Sequence, residues 1–140
     1  MKNICDESGL LAVIIRADFQ ADGIVFATPN ELPQQLGYMK RPMGYEIAPH
    51  VHVMKRYEVQ YSSETLFIRK GKVRIDFYSE QKAYLTSEIL VSGDVVLLSR
   101  GGHGFEMLEE SEIVEVKQGP YESESDKFRF KGVDKDKIVL

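Results

Sequence analysis

The chain of 140 residues is poor in the features that mark several common protein classes. Its single cysteine, Cys5, excludes an internal disulfide framework and a cysteine-rich zinc site. The longest apolar run near the start, Leu10–Ile15, is too short to cross a bilayer, and the polar first residues do not resemble a signal peptide. These absences predict a protein of a reducing compartment, the cytoplasm, with no membrane partner.

Excess positive charge is also lacking. The chain has 18 basic and 22 acidic residues, for a net charge of −4. Binding to a phosphate backbone needs clustered Lys and Arg, so this balance argues against a nucleic-acid partner. The length suits one domain, 1–140, and is sufficient for a core without disulfide or metal support.

Short apolar segments separated by glycine turns dominate what is present, and they predict an all-β fold, either a sandwich or a barrel. The spacing predicts hairpins at Lys70-Gly71 and in Glu109–Glu112, and two strands around Ser92–Asp94. The predicted strand segments are Leu10–Asp18, Gly23–Ala27, Gly44–His52, Glu64–Tyr78, Glu88–Ser99 and Gly104–Gln118.

Two further segments carry weaker signals. Thr28, followed by Pro29 and by Glu31 three residues after Thr28, predicts a helix N-terminus that Pro33 limits to about one turn. The C-terminal segment 122–140 is highly charged, and we expect it to be partly mobile.

The chain has only three histidines, and two of them lie in one predicted strand. His50 and His52 are two residues apart, so their side chains project from the same strand face. Glu64 shares a face with Leu66 and Ile68, and His103 follows a glycine-rich turn. Three imidazoles and one carboxylate would form a site suited to one divalent ion of Fe, Mn, Ni, Co or Zn. Taken alone, the His50-Val51-His52 pattern is more typical of strand histidines that bind no metal.

The spacing around these residues resembles the cupin superfamily of small double-stranded β-helix (jelly-roll) barrels. Its first motif places five residues between a glycine and His-x-His, and six residues between a glutamate and a second glycine. Here Gly44 precedes His50-Val51-His52 at that interval, and Glu64 precedes Gly71 likewise. Its second motif is similar to the segment from Gly93 to His103. The resemblance covers 44–118, the expected barrel core.

The sequence departs from these motifs at three points. Eleven residues, 53–63, separate His52 from Glu64 where the family has three or four, and we expect them to form a hairpin extension over the barrel mouth. Ser99 replaces the motif proline, and one residue rather than two separates Gly101 from His103.

The resemblance implies one metal ion bound by His50, His52, Glu64 and His103. Glu58 lies nearer to His52 than Glu64 does, but only Glu64 has the six-residue interval to Gly71. Three residues could contact a substrate near the ion, although a purely structural role is the commoner one for residues of their kind: Arg100, Gln118 and Glu46.

The resemblance favours an enzyme of carbohydrate metabolism that isomerises or epimerises a small, polar, sugar-like substrate, and it implies a homodimer. A metal-dependent dioxygenase is an alternative, because iron with the same ligands supports dioxygen chemistry. A non-catalytic module that binds a metal or a small molecule is the third. The sequence identifies no catalytic residue beyond the expected ligands.

Overall fold

The computed structural model describes residues 1–120 and 127–140, and these are almost entirely β-structure. The one helix among them is a short 3₁₀ turn at Lys135–Lys137. The all-β prediction is therefore confirmed. The strands are β1 Lys2–Asp6, β2 Gly9–Ile15, β3 Gly23–Phe26, β4 Gly37–Lys40, β5 Glu64–Lys70, β6 Lys72–Tyr78, β7 Tyr84–Val91, β8 Val95–Leu98, β9 Gly102–Met107 and β10 Glu112–Lys117.

Within the described part of the chain, all strand pairs are antiparallel and the strands form three sheets. The largest has the order β1-β2-β8-β5-β10, a second has the order β7-β6-β9, and β3 pairs with β4 alone. The main core lies between the first two sheets. Its residues alternate along their strands, as expected for sheets with one dry face. They are Ile4, Ala12, Ile14, Leu66, Ile68, Val96 and Leu98 from the five-stranded sheet and Val73, Ile75, Phe77 and Leu90 from the three-stranded sheet.

The two sheets do not close into a barrel. Among the described residues, β9 is paired only with β6, and β10 only with β5. Each of these two strands therefore has one edge whose backbone N–H and C=O groups form no hydrogen bonds to a neighbouring strand. These two open edges border the part of the molecule where the candidate site lies.

The chain changes sheet at Gly71, so the predicted hairpin of Glu64–Tyr78 is wrong. β5 lies between β8 and β10, whereas β6 lies between β7 and β9. Gly71 has a φ of 85°, and a Cβ there would lie 2.2 Å from the carbonyl oxygen of Glu110. Period-two alternation gives the same sequence pattern for a hairpin and for a corner between sheets, which explains the error.

The strands around Ser92–Asp94 and Glu109–Glu112 are present where predicted, but they also lie in different sheets. The predicted pairing of β9 with β10 through a hairpin is therefore wrong for the same reason. From β5 to β10 the chain crosses between the two sheets at every connection except β6–β7.

The predicted strand Gly44–His52 and the hairpin extension at 53–63 are also wrong. Residues 41–63 contain no strand, and nearly all of their side chains are exposed. Pro42 and Pro49 each lack the backbone N–H that a ladder requires. We call this segment the histidine arm. Its large apolar side chains, most of them at odd-numbered positions, are exposed.

The helical turn predicted at Thr28 is absent. The Leu32 amide donates to the Pro29 carbonyl over 3.2 Å, but the chain forms only a turn. The Gln35 side-chain amide donates to the carbonyls of both Pro29 and Leu32, at 2.8 Å each. Pro33 blocks continuation, and the Gln35 amide provides the partner that a further helical turn would have supplied.

Part of the expected mobile tail is packed. Residues 122–126 lie outside the described residues, but Phe130 packs edge-on against Tyr78 with ring centroids 5.1 Å apart. The Val133 amide donates to the Tyr78 hydroxyl over 3.0 Å. The Ser87 amide donates to the Val139 carbonyl over 2.7 Å. The described C-terminal segment is thus attached to β6 and β7.

Replacing Gly71 by alanine tests the corner. The added Cβ would meet the Glu110 carbonyl in a left-handed backbone conformation, so we expect Gly71→Ala to lower the free energy of unfolding by about 2–3 kcal/mol. Gly104→Ala is the matched control, since a Cβ there has nothing within 4 Å. Urea unfolding measures both, and equal stabilities for the two variants would contradict the account.

Candidate functional site

Glu64 and His103 meet between the two main sheets. The Nε2 atom of His103 lies 3.2 Å from a carboxylate oxygen of Glu64. The Glu64 side chain is 10% exposed and the His103 side chain is 25% exposed. Glu64 begins β5, where it is paired in register with Lys117 of β10, and His103 lies in β9 opposite Phe77 of β6. Each strand therefore delivers one side chain to the contact from its own sheet.

The surroundings of Glu64 favour its ionised form. The hydrogen bond from His103 lowers the pKa of Glu64 below its ordinary value, and this effect outweighs the burial that would raise the pKa. The charges of Lys127 and Lys117 lower it further. The Nζ atom of Lys127 lies 3.7 Å from the second carboxylate oxygen. Glu64 is thus a buried carboxylate with two described partners at its oxygens.

A pocket of about 220 Å³ opens beside this contact. Half-buried His103 is followed at alternate positions by Phe105 and Met107, and both of these line the pocket, as strand parity predicts. The ring centroids of His103 and Phe105 are 5.3 Å apart. The complete lining is Glu64, Leu66, Phe105, Met107, Ile113, Glu115 and Lys127.

The other two predicted ligands lie together in the histidine arm. The rings of His50 and His52 have centroids 5.3 Å apart, and both residues are exposed. The Nδ1 atom of His50 lies 2.9 Å from the Ala48 carbonyl oxygen, which leaves Nε2 available to a ligand. Glu58, the alternative carboxylate, and Glu46 are also exposed in this arm.

The four predicted ligands are therefore present as two separate pairs. Within residues 1–120 and 127–140, no group of three or more His, Cys, Asp or Glu side chains is placed to bind one ion. The Glu64–His103 pair is fixed by two sheets, whereas the His50–His52 pair lies in an arm without strands.

Arg100 is bound away from the pocket. Its Nε donates to the Leu10 carbonyl over 3.1 Å, and its guanidinium lies 3.6 Å from Asp6 and 3.7 Å from Glu80. These contacts tie the turn before β9 to the N-terminal strands. In this structure Arg100 therefore joins elements of the fold.

Gln118 likewise makes contacts within the fold. Its carbonyl oxygen accepts a hydrogen bond from the Ser63 amide at 2.8 Å, and its amide donates to Gln34 over 3.0 Å. Ser63 directly precedes Glu64, so Gln118 fixes the chain where the histidine arm joins β5.

Sequence reasoning missed Lys127 and underestimated Phe105. Lys127 belongs to the charged tail, where no periodic pattern distinguished one lysine from another. The scarcity of aromatic residues beside the expected ligands favoured a polar substrate, and that reasoning passed over Phe105, which lines the pocket with an exposed side chain.

No family model, curated protein or solved structure matches this chain. The resemblance to cupins therefore rests on motif spacing alone. Among the described residues, no helix has the length and apolar character needed to span a membrane.

Glu64→Gln tests the electrostatics of the contact. The pKa of Glu64 is lowered in the folded state, so its ionised form adds stability that is complete above the unfolded pKa and is lost as pH falls through the folded pKa. We expect Glu64→Gln to cost about 1–2 kcal/mol at pH 7 and progressively less below about pH 4.5.

The measurement is urea unfolding of both proteins between pH 7 and pH 2.5. Glu115→Gln is the control, because Glu115 lines the same pocket but is exposed. A cost for Glu64→Gln that stays constant down to the lowest pH would contradict the account.

Proposed function

We propose that the chain is a metal-dependent, cupin-like enzyme that uses His50, His52, Glu64 and His103 to bind one divalent ion beside the pocket. The geometry of the Glu64–His103 contact is the observation that carries this proposal. Ligand atoms about 2.1 Å from a shared ion lie about 3.0 Å apart in octahedral and about 3.4 Å apart in tetrahedral coordination. The observed 3.2 Å falls in this interval, so one ion could replace the hydrogen bond between the two side chains if His103 lost the Nε2 proton and its ring turned towards the ion.

The separation of the His50 and His52 rings is also suited to binding of one ion by both imidazoles. Two imidazoles bound to one tetrahedral ion have ring centroids about 5 Å apart. The ring centroids of His50 and His52 have about this separation. The Ala48 carbonyl oxygen lies beside the Nδ1 atom of His50, and a ligating histidine commonly has such a partner on the nitrogen that does not bind the metal. The complete set of three imidazoles and one carboxylate requires the histidine arm to approach β9.

The open edge of β9 provides a place for that approach. A strand added to it would lie opposite His103, and directly opposed residues have Cβ atoms about 4.5–5.5 Å apart. His50 and His52 are two residues apart and would both face the pocket in such a strand. Main-chain hydrogen bonds to β9 would then compensate for ordering the arm.

The path of the chain also supports the resemblance. The segment between Glu64 and Lys117 alternates between two facing sheets, a path compatible with a jelly roll. One strand added to β9 and another to β10 would extend both sheets at their open edges.

The proposed reaction is isomerisation or epimerisation of a small substrate. A bound divalent ion supplies Lewis-acid polarisation of a carbonyl or hydroxyl oxygen. The chain itself would contribute Glu64 and His103 as ligands, and Leu66, Phe105 and Met107 as apolar contacts for the substrate in a pocket that is open to solvent.

Metal titration tests the ligand assignment. We expect the protein, after treatment with a chelator, to bind one equivalent of Zn²⁺, Ni²⁺, Co²⁺, Mn²⁺ or Fe²⁺ in isothermal titration calorimetry. His50→Ala, His52→Ala, Glu64→Gln and His103→Ala should each weaken binding at least tenfold, because each removes a ligand.

Glu58→Gln is the control for Glu64→Gln and should retain the affinity of the unchanged protein. The assignment would be wrong if His103→Ala bound the metal as tightly as the unchanged protein. Loss of binding in Glu58→Gln but not in Glu64→Gln would identify the other carboxylate.

Hydrogen exchange tests the movement of the arm. We expect the amides of residues 50–54 to exchange rapidly without metal, because this segment contains no strand and is exposed. Metal addition should slow their exchange at least tenfold in the unchanged protein and not in His103→Ala. Metal binding without any protection in the arm would exclude docking on β9.

A further inference from the structure

Residues 57–61 of the histidine arm have the sequence pattern of a strand but form none in the structure. Tyr57, Val59 and Tyr61 alternate with polar residues, and aromatic and β-branched side chains at every second position are typical of a strand with one apolar face. Each of the three apolar side chains is at least 43% exposed. We call residues 57–61 the tyrosine segment, and its apolar face is largely uncovered.

The edge strand β10 offers what such a segment needs. Among the described residues, β10 is paired only with β5, so one of its edges is open. Val114 of β10 lies opposite Phe67 of β5, and Val116 faces the same side of the sheet. All three side chains are at least 40% exposed. A strand added at the open edge would extend this apolar row, and pairs of aromatic and β-branched residues on adjacent strands are stabilising.

The charges of the two surfaces are complementary. Residues 109–117, which include β10, contain four glutamates and one lysine. Lys55 and Arg56 directly precede the tyrosine segment, whose only charged residue is Glu58. Docking of the segment would therefore bring two cations to an acidic edge. Such complementarity determines partner and register.

The tyrosine segment cannot pair antiparallel along β10 of its own chain. Only two residues separate Tyr61 from Glu64, and Glu64 lies opposite Lys117 at the end of β10. Antiparallel pairing along β10 would place Tyr61 beside Ile113, about 16 Å from Glu64, from four residues along the strand and two strand spacings across. The three residue steps from Tyr61 to Glu64 span at most about 11 Å.

The orientation within reach of the same chain is parallel. The segment and β10 would then both run towards the end where Glu64 and Lys117 pair. Every strand pair in the described part of the chain is antiparallel, and parallel pairing is slightly less stable per residue. A second copy of the chain has no such linker to β10 and can present the segment in the antiparallel orientation.

We propose that two copies of the chain exchange their tyrosine segments, each of which adds an antiparallel strand to the open edge of the partner's β10. One two-fold axis would fill both edges at once. Together the two pairings would bury on the order of 1,000 Å², the lower limit for a specific interface. This inference goes beyond the proposed function, because it requires no metal and leaves His50 and His52 outside the exchanged segment.

Two double variants that reverse charge test the exchange. Lys55→Glu/Arg56→Glu makes the arm acidic, and Glu112→Lys/Glu115→Lys makes the edge of β10 basic. Sedimentation equilibrium of chelator-treated protein over a concentration series measures association. We expect the unchanged protein to form a dimer. Each double variant alone should have a dissociation constant at least tenfold higher, because like charges then face each other.

An equimolar mixture of the two double variants distinguishes exchange from pairing within one chain. In a heterodimer the acidic arm of one variant faces the basic edge of the other, and the second pairing has its original charges. We expect heterodimers with a dissociation constant within about threefold of that of the unchanged protein. Pairing within one chain would give no rescue, because each chain keeps its own mismatch.

Proline substitution tests the backbone pairing. Glu58→Pro/Val59→Pro removes two consecutive N–H groups, one of which would point towards β10, and we expect it to weaken the dimer at least tenfold. Val53→Pro/Met54→Pro is the matched control, because both residues are exposed in the same arm but lie outside the segment. It should leave association unchanged.

Three results would each overturn the inference. The first is an unchanged protein that stays monomeric at every concentration. The second is a mixture of the double variants that forms no heterodimer. The third is equal association of Glu58→Pro/Val59→Pro and the unchanged protein.

Discussion

The contact between Glu64 and His103 is the interaction on which the candidate site depends. It joins the two sheets that enclose the core, and it places a buried carboxylate beside an imidazole at the end of that core. A carboxylate in such a position needs partners, since burial without them favours the neutral form. His103 and Lys127 provide those partners, and the pKa of Glu64 is lowered as a result.

The path of the chain explains why these residues can meet. Glu64 precedes a corner at Gly71, and His103 follows the crossing between β8 and β9, so each lies where the chain enters a strand of a different sheet. The same crossings leave β9 and β10 with open edges. A fixed pair of ligands therefore lies beside a free sheet edge, and the histidine arm enters the five-stranded sheet at Glu64 itself.

The sequence was sufficient to locate most of the strands, but it did not show which strands pair with each other. Alternation of Val73, Ile75 and Phe77 located β6 correctly, because one face of that strand is fully buried. The same alternation could not distinguish a hairpin from a corner, since both place every second side chain in the core. The turn at Gly71 was located correctly, but its connection of two sheets depends on contacts with residues far along the chain.

The candidate site was also predicted only in part. Motif spacing selected Glu64 and His103, and the two side chains are in contact beside the pocket. The sequence of the histidine arm, which contains His50 and His52, alternates like that of a strand. The arm nevertheless forms no strand in this structure, because Pro42 and Pro49 cannot donate to a ladder and no described strand pairs with it. Lys127 could not be found locally, because its contact is with Glu64, which is far from it along the chain.

X-ray absorption at the zinc edge of the zinc-loaded protein tests the central claim most directly. The account predicts a first coordination shell at about 2.0–2.1 Å that contains about three imidazole nitrogens and at least one oxygen. A shell of oxygens alone, or one with a single imidazole, would contradict the convergence of the two ligand pairs on one ion.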